Sequence, residues 1–206
     1  LAKNTDSFLE VFGASSHKYI LSPPIKTKEL IEFEKKYNIT LPDGYKTFLT
    51  EIGNGGLEYE SVVGNSGVGP DYGLFKFGHI YQFIVAPSLT YLERQPFFNE
   101  NTTEEDWISI YNEIDDDISD EDFDNEVAKA YSGILLIGYS GCSGYLGMIL
   151  NGKNRGRVLK AYDQIEYLPY FFKEITFLEW YENWLDNIIS GEEIMRADFV
   201  FQSEKE

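Results

Sequence analysis

The stretch IEFEKKYNITLPDGYKTFLTEIGNGG, Ile31 to Gly56, holds two helix patterns separated by a proline start and closed by a glycine turn. Thr27 is placed to cap the first helix, where Leu30, Ile31, Phe33 and Tyr37 share one broad face, and Asn38 suits its end. Pro42 fits the first turn of the second, in which Tyr45, Phe48, Leu49 and Ile52 recur at i, i+3, i+4 and i+7. Gly53, Asn54, Gly55 and Gly56 stop it. The stretch therefore predicts an αα unit that hands the chain over to extended structure.

Working outward, Leu57 to Val63 and Leu74 to Phe77 read as short β runs divided by a loop with Gly64, Gly67, Gly69 and Gly73, and a short helix is expected over Ala86 to Glu93. Gly133 to Tyr139, GILLIGY, is a continuous apolar run of the kind found in a strand covered on both faces, which predicts a central place in the sheet. Tyr145 to Leu150 and Arg157 to Tyr162 follow as neighbouring strands, joined through Asn151, Gly152 and Gly156. Thr176 and Glu179 make a capping box before a helix with Phe177, Tyr181, Trp184, Leu185 and Ile188 inward. Upstream, Leu1 to Lys26 is weakly patterned; Phe8, Leu9 and Phe12 suit one helical turn, and Pro23 and Pro24 break anything longer. The fold class is α+β: N-terminal helices packed beside a mixed, largely antiparallel sheet, with a closing C-terminal helix. The expected organisation is a lead over residues 1–22, one domain over 23–190 and a polar tail over 191–206.

Composition narrows the function classes. The formal net charge is -18, and 13 acidic residues with no Lys or Arg fall between Glu100 and Glu126, so the remaining 22 acids and 17 bases give only -5. The acidity is thus an insert within the domain, at about residues 100–126. Nucleic acid is disfavoured as a partner because phosphate binding needs clustered cations, and a basic protein is the natural converse. Trp107, Ile110, Tyr111 and Ile114 after Thr103, then Phe123, Val127, Ala130 and Tyr131 after a Ser119 cap, place the insert on two helices with the acids outward. No run approaches the ~18 apolar residues of a membrane span, and Leu1 to Glu10 lacks the regions of a signal peptide. The lone Cys142 cannot form an internal disulfide, so a soluble, cytoplasmic protein is expected.

Motifs for catalysis are weak. His17 and His79 lack a nearby Cys or second His, and Gly138-Tyr139-Ser140-Gly141-Cys142 misses the final glycine of a nucleophile elbow. Cys142 has no local base or cation to activate it. The glycines at 67, 69 and 73 do not form a phosphate-cradling arrangement, and Asp120 stands where an EF-hand-like reading of Asp115, Asp117, Ser119 and Glu126 needs glycine. No enzyme, cofactor or metal is implied. Partner contacts are expected from Asp115, Asp116, Asp117, Asp120, Glu121, Asp122 and Asp124, from Asp71 and Tyr72 in the glycine loop, and from Trp180, which falls off the inner stripe of the last helix and suits a surface anchor.

The order of these signals resembles the Smi/Knr-type branch of the SUKH superfamily. The resemblance rests on the apolar-Glu first helix, the Leu41-Pro42 step, the Tyr-bearing second helix and Asn54-Gly55-Gly56. It continues in Leu74 to Phe77, in ILLIGYSGCSGYLGMIL from Ile134 and in TFLEWYENWL from Thr176. It spans about Pro23 to Ser190, with the acidic insert a departure from the short family core. It implies an α+β binding domain, in bacteria often an immunity protein that occludes a cognate toxin, many such toxins being nucleases. The alternative is a regulatory or scaffold protein of the cell-wall-regulator type; an enzyme using Cys142 comes third.

Overall fold

A computed structural model describes residues 1–56, 67–78, 85–114 and 117–193. The run Leu57 to Val63, His79, Asp115, Asp116 and the tail beyond Glu193 lie outside the described residues. The helices are α1 (Ala2–Thr5), α2 (Ala14–His17), α3 (Thr27–Tyr37), α4 (Asp43–Thr47, prolonged by a π turn over Phe48–Ile52), α5 (Val85–Ser88, running into a 3-10 turn), α6 (Glu104–Asn112), α7 (Asp120–Ala130) and α8 (Phe177–Ser190). Strands β1 (Ile134–Gly141), β2 (Gly144–Ile149), β3 (Val158–Tyr162) and β4 (Tyr170–Phe171) form one sheet in that spatial order, each pair antiparallel. The fold is α+β, and its described ladders are antiparallel rather than mixed.

The αα unit forms where expected, with two corrections. Lys26, not Thr27, occupies the N-cap of α3, without a side-chain cap bond. Only Leu30 of the expected α3 face is buried, and Ile31 is more than half exposed, because α3 meets the core along a narrower stripe than its apolar residues offer; Ile52, at the end of the π turn, is more than half exposed as well. Glu34 ties the two helices, accepting from the Leu41 amide at 2.7 Å and pairing with Lys46 at 2.9 Å.

The glycine turn does more than end a helix. A Cβ on Gly55 would stand 1.7 Å from the Phe75 carbonyl oxygen, so only glycine lets the two backbones meet. There the Gly56 amide donates to the Leu74 carbonyl, while the buried Asn54 carboxamide oxygen accepts from the Gly55 and Phe77 amides at 2.8 and 2.7 Å. Asn-Gly-Gly thus clips the end of the αα unit to the stretch Leu74 to Phe77. That stretch is no regular strand but makes single bridges, Leu74 to Gly67 and to Gly138. It runs along the outer edge of β1, where the Phe75 amide donates to the Ile137 carbonyl and the Tyr139 amide to the Gly73 carbonyl.

The GILLIGY strand is therefore buried on both faces, yet it ends the four-strand order instead of lying in its middle. Burial comes from helices on either side and from the Gly73–Phe75 segment along its edge. Alternate residues enter two cores. Leu135, Ile137, Leu146, Met148 and Val158 face α4, α8 and the lead, whereas Ile134, Leu136, Tyr145, Ile149, Leu159 and Ala161 face Trp107, Val127, Ala130 and Tyr131 of the insert. The molecule is three layers, helix, sheet and helix, and the insert supplies the third.

Residues 1–22 pack into the first core through Ala2, Val11 and Ala14, whereas Phe8 and Phe12 point outward at 84% and 58% exposure. Their polar centre is the buried Asp6, which accepts from the Glu10 and Val11 amides and from the Tyr19 hydroxyl at 2.7 Å. Beside it His17 is 2% exposed, edge-on to Trp184 of α8. Its Nδ1 accepts from the Tyr19 amide, and its Nε2 is buried with no partner. Burial drives His17 down to about 4, with Asp6 opposing. Because the unfolded value, 6.5, lies above the folded one, the neutral ring contributes stability above pH 6.5 that is lost as pH falls through about 4. Over that window wild type is expected to lose about 3 kcal/mol more than His17→Phe, read from urea midpoints at each pH. Parallel pH curves for the two proteins would show that the ring is not held neutral.

Candidate partner-binding surface

The insert begins at a fixed point. Glu100 accepts from Arg157 at 3.1 Å and pairs with Lys153, and the Asn154 hydrogen bond, with those two charges, holds its carboxyl below the usual range. Arg157 also lies 4.1 Å over the Phe171 ring. Glu100 is thus spent on anchoring the insert to the β2–β3 loop, and is not part of an open acidic face.

Each helix of the insert is then capped by its own sequence. The Thr103 hydroxyl accepts from the Asp106 amide at 3.1 Å, and the Asp106 carboxylate accepts from the Thr103 amide and hydroxyl, which lowers its pKa. The Ser119 hydroxyl accepts from the Asp122 amide at 3.2 Å and donates to the Asp122 carboxylate at 2.8 Å. Asp120, Glu121 and Asp122 fill the first turn of α7, where the helix N-terminus favours anions. The inner faces are apolar: Trp107 and Tyr131 are at most 1% exposed, their rings edge-on at 5.7 Å, and Val127 and Ala130 close the contact with the sheet.

Outward, the helices and the described residues between them present Glu104, Glu105, Asp106, Glu113, Asp117, Asp120, Glu121, Asp122 and Asp124, all exposed. The one cation on α7, Lys129, is paired with Glu126. The structure thus brings Asp117, Asp120, Glu121, Asp122 and Asp124 to one exposed segment and adds α6 acids that a reading centred on residues 115–124 passed over; their signal lay in the same cation-free run.

The other expected contact residues lie elsewhere. Asp71 and Tyr72 occupy a turn at the open end of the sheet, where the Tyr72 amide donates to the Tyr139 carbonyl and its ring meets Phe12 and Tyr139 at 5.1 and 5.7 Å. Trp180 is not a surface anchor. It is 4% exposed, between Phe172 and Phe177 at 5.7 Å each, because the segment after β4 folds over α8 and rotates its buried face toward Trp180, leaving Leu185 only partly covered. Cys142 is exposed at the tip of the β1–β2 hairpin.

Among the described residues no group of three or more His, Cys, Asp or Glu is arranged to hold a metal ion, and no helix is long and apolar enough to cross a membrane. A model of the SMI1 / KNR4 family (SUKH-1) matches residues 24–183, a span that includes the insert. Neither a curated protein nor a solved structure matches the chain.

Proposed function

Since the chain belongs to the SMI1 / KNR4 family (SUKH-1), we propose that it is an immunity protein, acting in the cytoplasm, that binds a cognate toxin with a basic surface and silences it by stoichiometric occlusion. The observation that carries this reading is the acidic outer face of α6 and α7, mounted on a packed layer rather than on a loose appendage. A fixed array of like charge raises the encounter rate with a cationic protein by about 10 to 10³-fold and disfavours anionic competitors. A nuclease with a cationic cleft fits that chemistry, the carboxylates standing in for substrate phosphates. Occlusion makes and breaks no covalent bond, so the protein acts mole for mole.

Gene context and co-purification test it. Co-expression with the product of the adjacent gene is expected to yield a one-to-one complex in which the toxin's activity is abolished at equimolar ratio. A neighbour without a toxin-like domain, and a complex with an endogenous cell-wall protein instead, favours the regulatory reading. Substrate turnover by the purified protein alone would sink both.

A further inference from the structure

The end of the sheet around the β1–β2 turn carries unused hydrogen-bonding capacity. Asp71 is half-buried in the left-handed region, φ +56, and among the described residues its carboxylate accepts no hydrogen bond and has no cationic nitrogen within 4.0 Å. Burial pushes it up to about 6, while Lys160 opposes and Glu193 adds to the rise. Ser140 is 4% exposed, and its Oγ has no partner either. Both Ser140 Oγ and Lys160 Cε crowd the place a Gly144 Cβ would take, at 2.3 and 3.1 Å, so the serine lies beside the lysine that acts on Asp71.

The surroundings are aromatic and conformationally held. Tyr72 covers Gly141, where a Cβ would stand 2.5 Å from its ring. Tyr170, 47% exposed, pairs with Lys160 across the β3–β4 ladder and feels the Asp71 charge. Cys142 and Ser143 both have positive φ, a costly pair for L-residues in a two-residue turn. Strain, a buried orphan hydroxyl and an unpaired carboxylate coincide at one end of the sheet; the buried carboxylate of Asp6, by contrast, is fully bonded.

We propose that this notch receives an arginine side chain of the protein partner, its guanidinium donating to the Asp71 carboxylate and lying against the Tyr72 and Tyr170 rings. The proposal rests on the reading of a basic partner and gives that partner a second, specific contact. The Asp71 oxygens are acceptors in need of donors, and Tyr72 and Tyr170 bring rings to the same end of the sheet; a flat five-donor cation matches both, whereas an ammonium matches only the charge. Lys160 is the built-in competitor. Its charge acts on the same carboxylate from beyond 4.0 Å, so it competes for the acceptor without pairing to it.

The probe is N-acetyl-L-arginine amide, followed by NMR at the Asp71 carboxyl carbon and the amides of residues 70–73 and 140–144. Saturable shifts in the millimolar range are expected, with a lowered Asp71 pKa in the bound state and no such shifts from N-acetyl-L-norleucine amide. Asp71→Asn should weaken binding by about tenfold, and Lys160→Met should tighten it by about threefold, since one removes the acceptor and the other its competitor. A charge-reversed α7 should bind the probe like wild type, which separates failure of the notch from failure of the acidic surface. Identical affinity in Asp71→Asn, or shifts confined to α6 and α7, would overturn the proposal. Should Asp71→Asn fail to fold, an Asp71 carboxyl titration in wild type that the probe leaves unchanged overturns it equally.

Discussion

Trp107→Ala is expected to destabilise the protein by about 3–5 kcal/mol, the range for removing a large buried aromatic. The ring is 1% exposed and meets Phe98 and Tyr131 edge-on, so its loss leaves a void between α6 and the second face of the sheet. Its indole N–H is buried without a partner, a penalty of about 1–3 kcal/mol that wild type already carries. Trp107→Phe relieves that penalty while giving up part of the contact, and should therefore cost far less than alanine. Urea unfolding of the three proteins checks this. Near-wild-type stability of the alanine variant would mean that the insert is an independent appendage and that the sheet's second face needs no cover.

The second large effect concerns rate. Reversing Asp120, Glu121 and Asp124 to lysine moves the formal net charge from -18 to -12 without touching a buried side chain or the Ser119–Asp122 cap. Association with the proposed basic partner is expected to slow by at least about tenfold, with a shallower dependence on ionic strength, while dissociation changes little. Stopped-flow mixing at several salt concentrations measures all three. The lysines at 120 and 121, in the first turn, oppose the α7 dipole by about 0.3–1 kcal/mol each, so circular dichroism must accompany the kinetics. Unchanged association at low salt would retire this surface from recognition, leaving its acids a solubilising role.

The two experiments bear on opposite faces of the same helices, and the division between those faces was legible before any coordinates. Helical spacing put Trp107, Val127, Ala130 and Tyr131 on one side and the carboxylates on the other, because burying unpaired carboxylates costs too much for any packing to invert that choice. The same logic set the cap at Ser119, the capping box at Thr176, the glycine stop after Ile52 and the doubly covered strand from Ile134. These are local facts, decided by hydrogen bonds within a few residues or by hydrophobic period.

The tertiary structure alone decided what covers what. Gly133 to Tyr139 carries the hydrophobicity of a central strand, but whether its edge meets another strand or a loop depends on residues some 60 positions away, around Leu74. Trp180 sits off a stripe computed for an isolated helix, and only the arrival of Phe172 against α8 makes that position interior. Asp71 reads as an ordinary turn residue; its unpaired carboxylate comes from the approach of Tyr72, Lys160 and the β1–β2 turn. Periodicity reports which side chains must leave water, while the partner that each one finds is set by long-range packing, which no window of sequence contains.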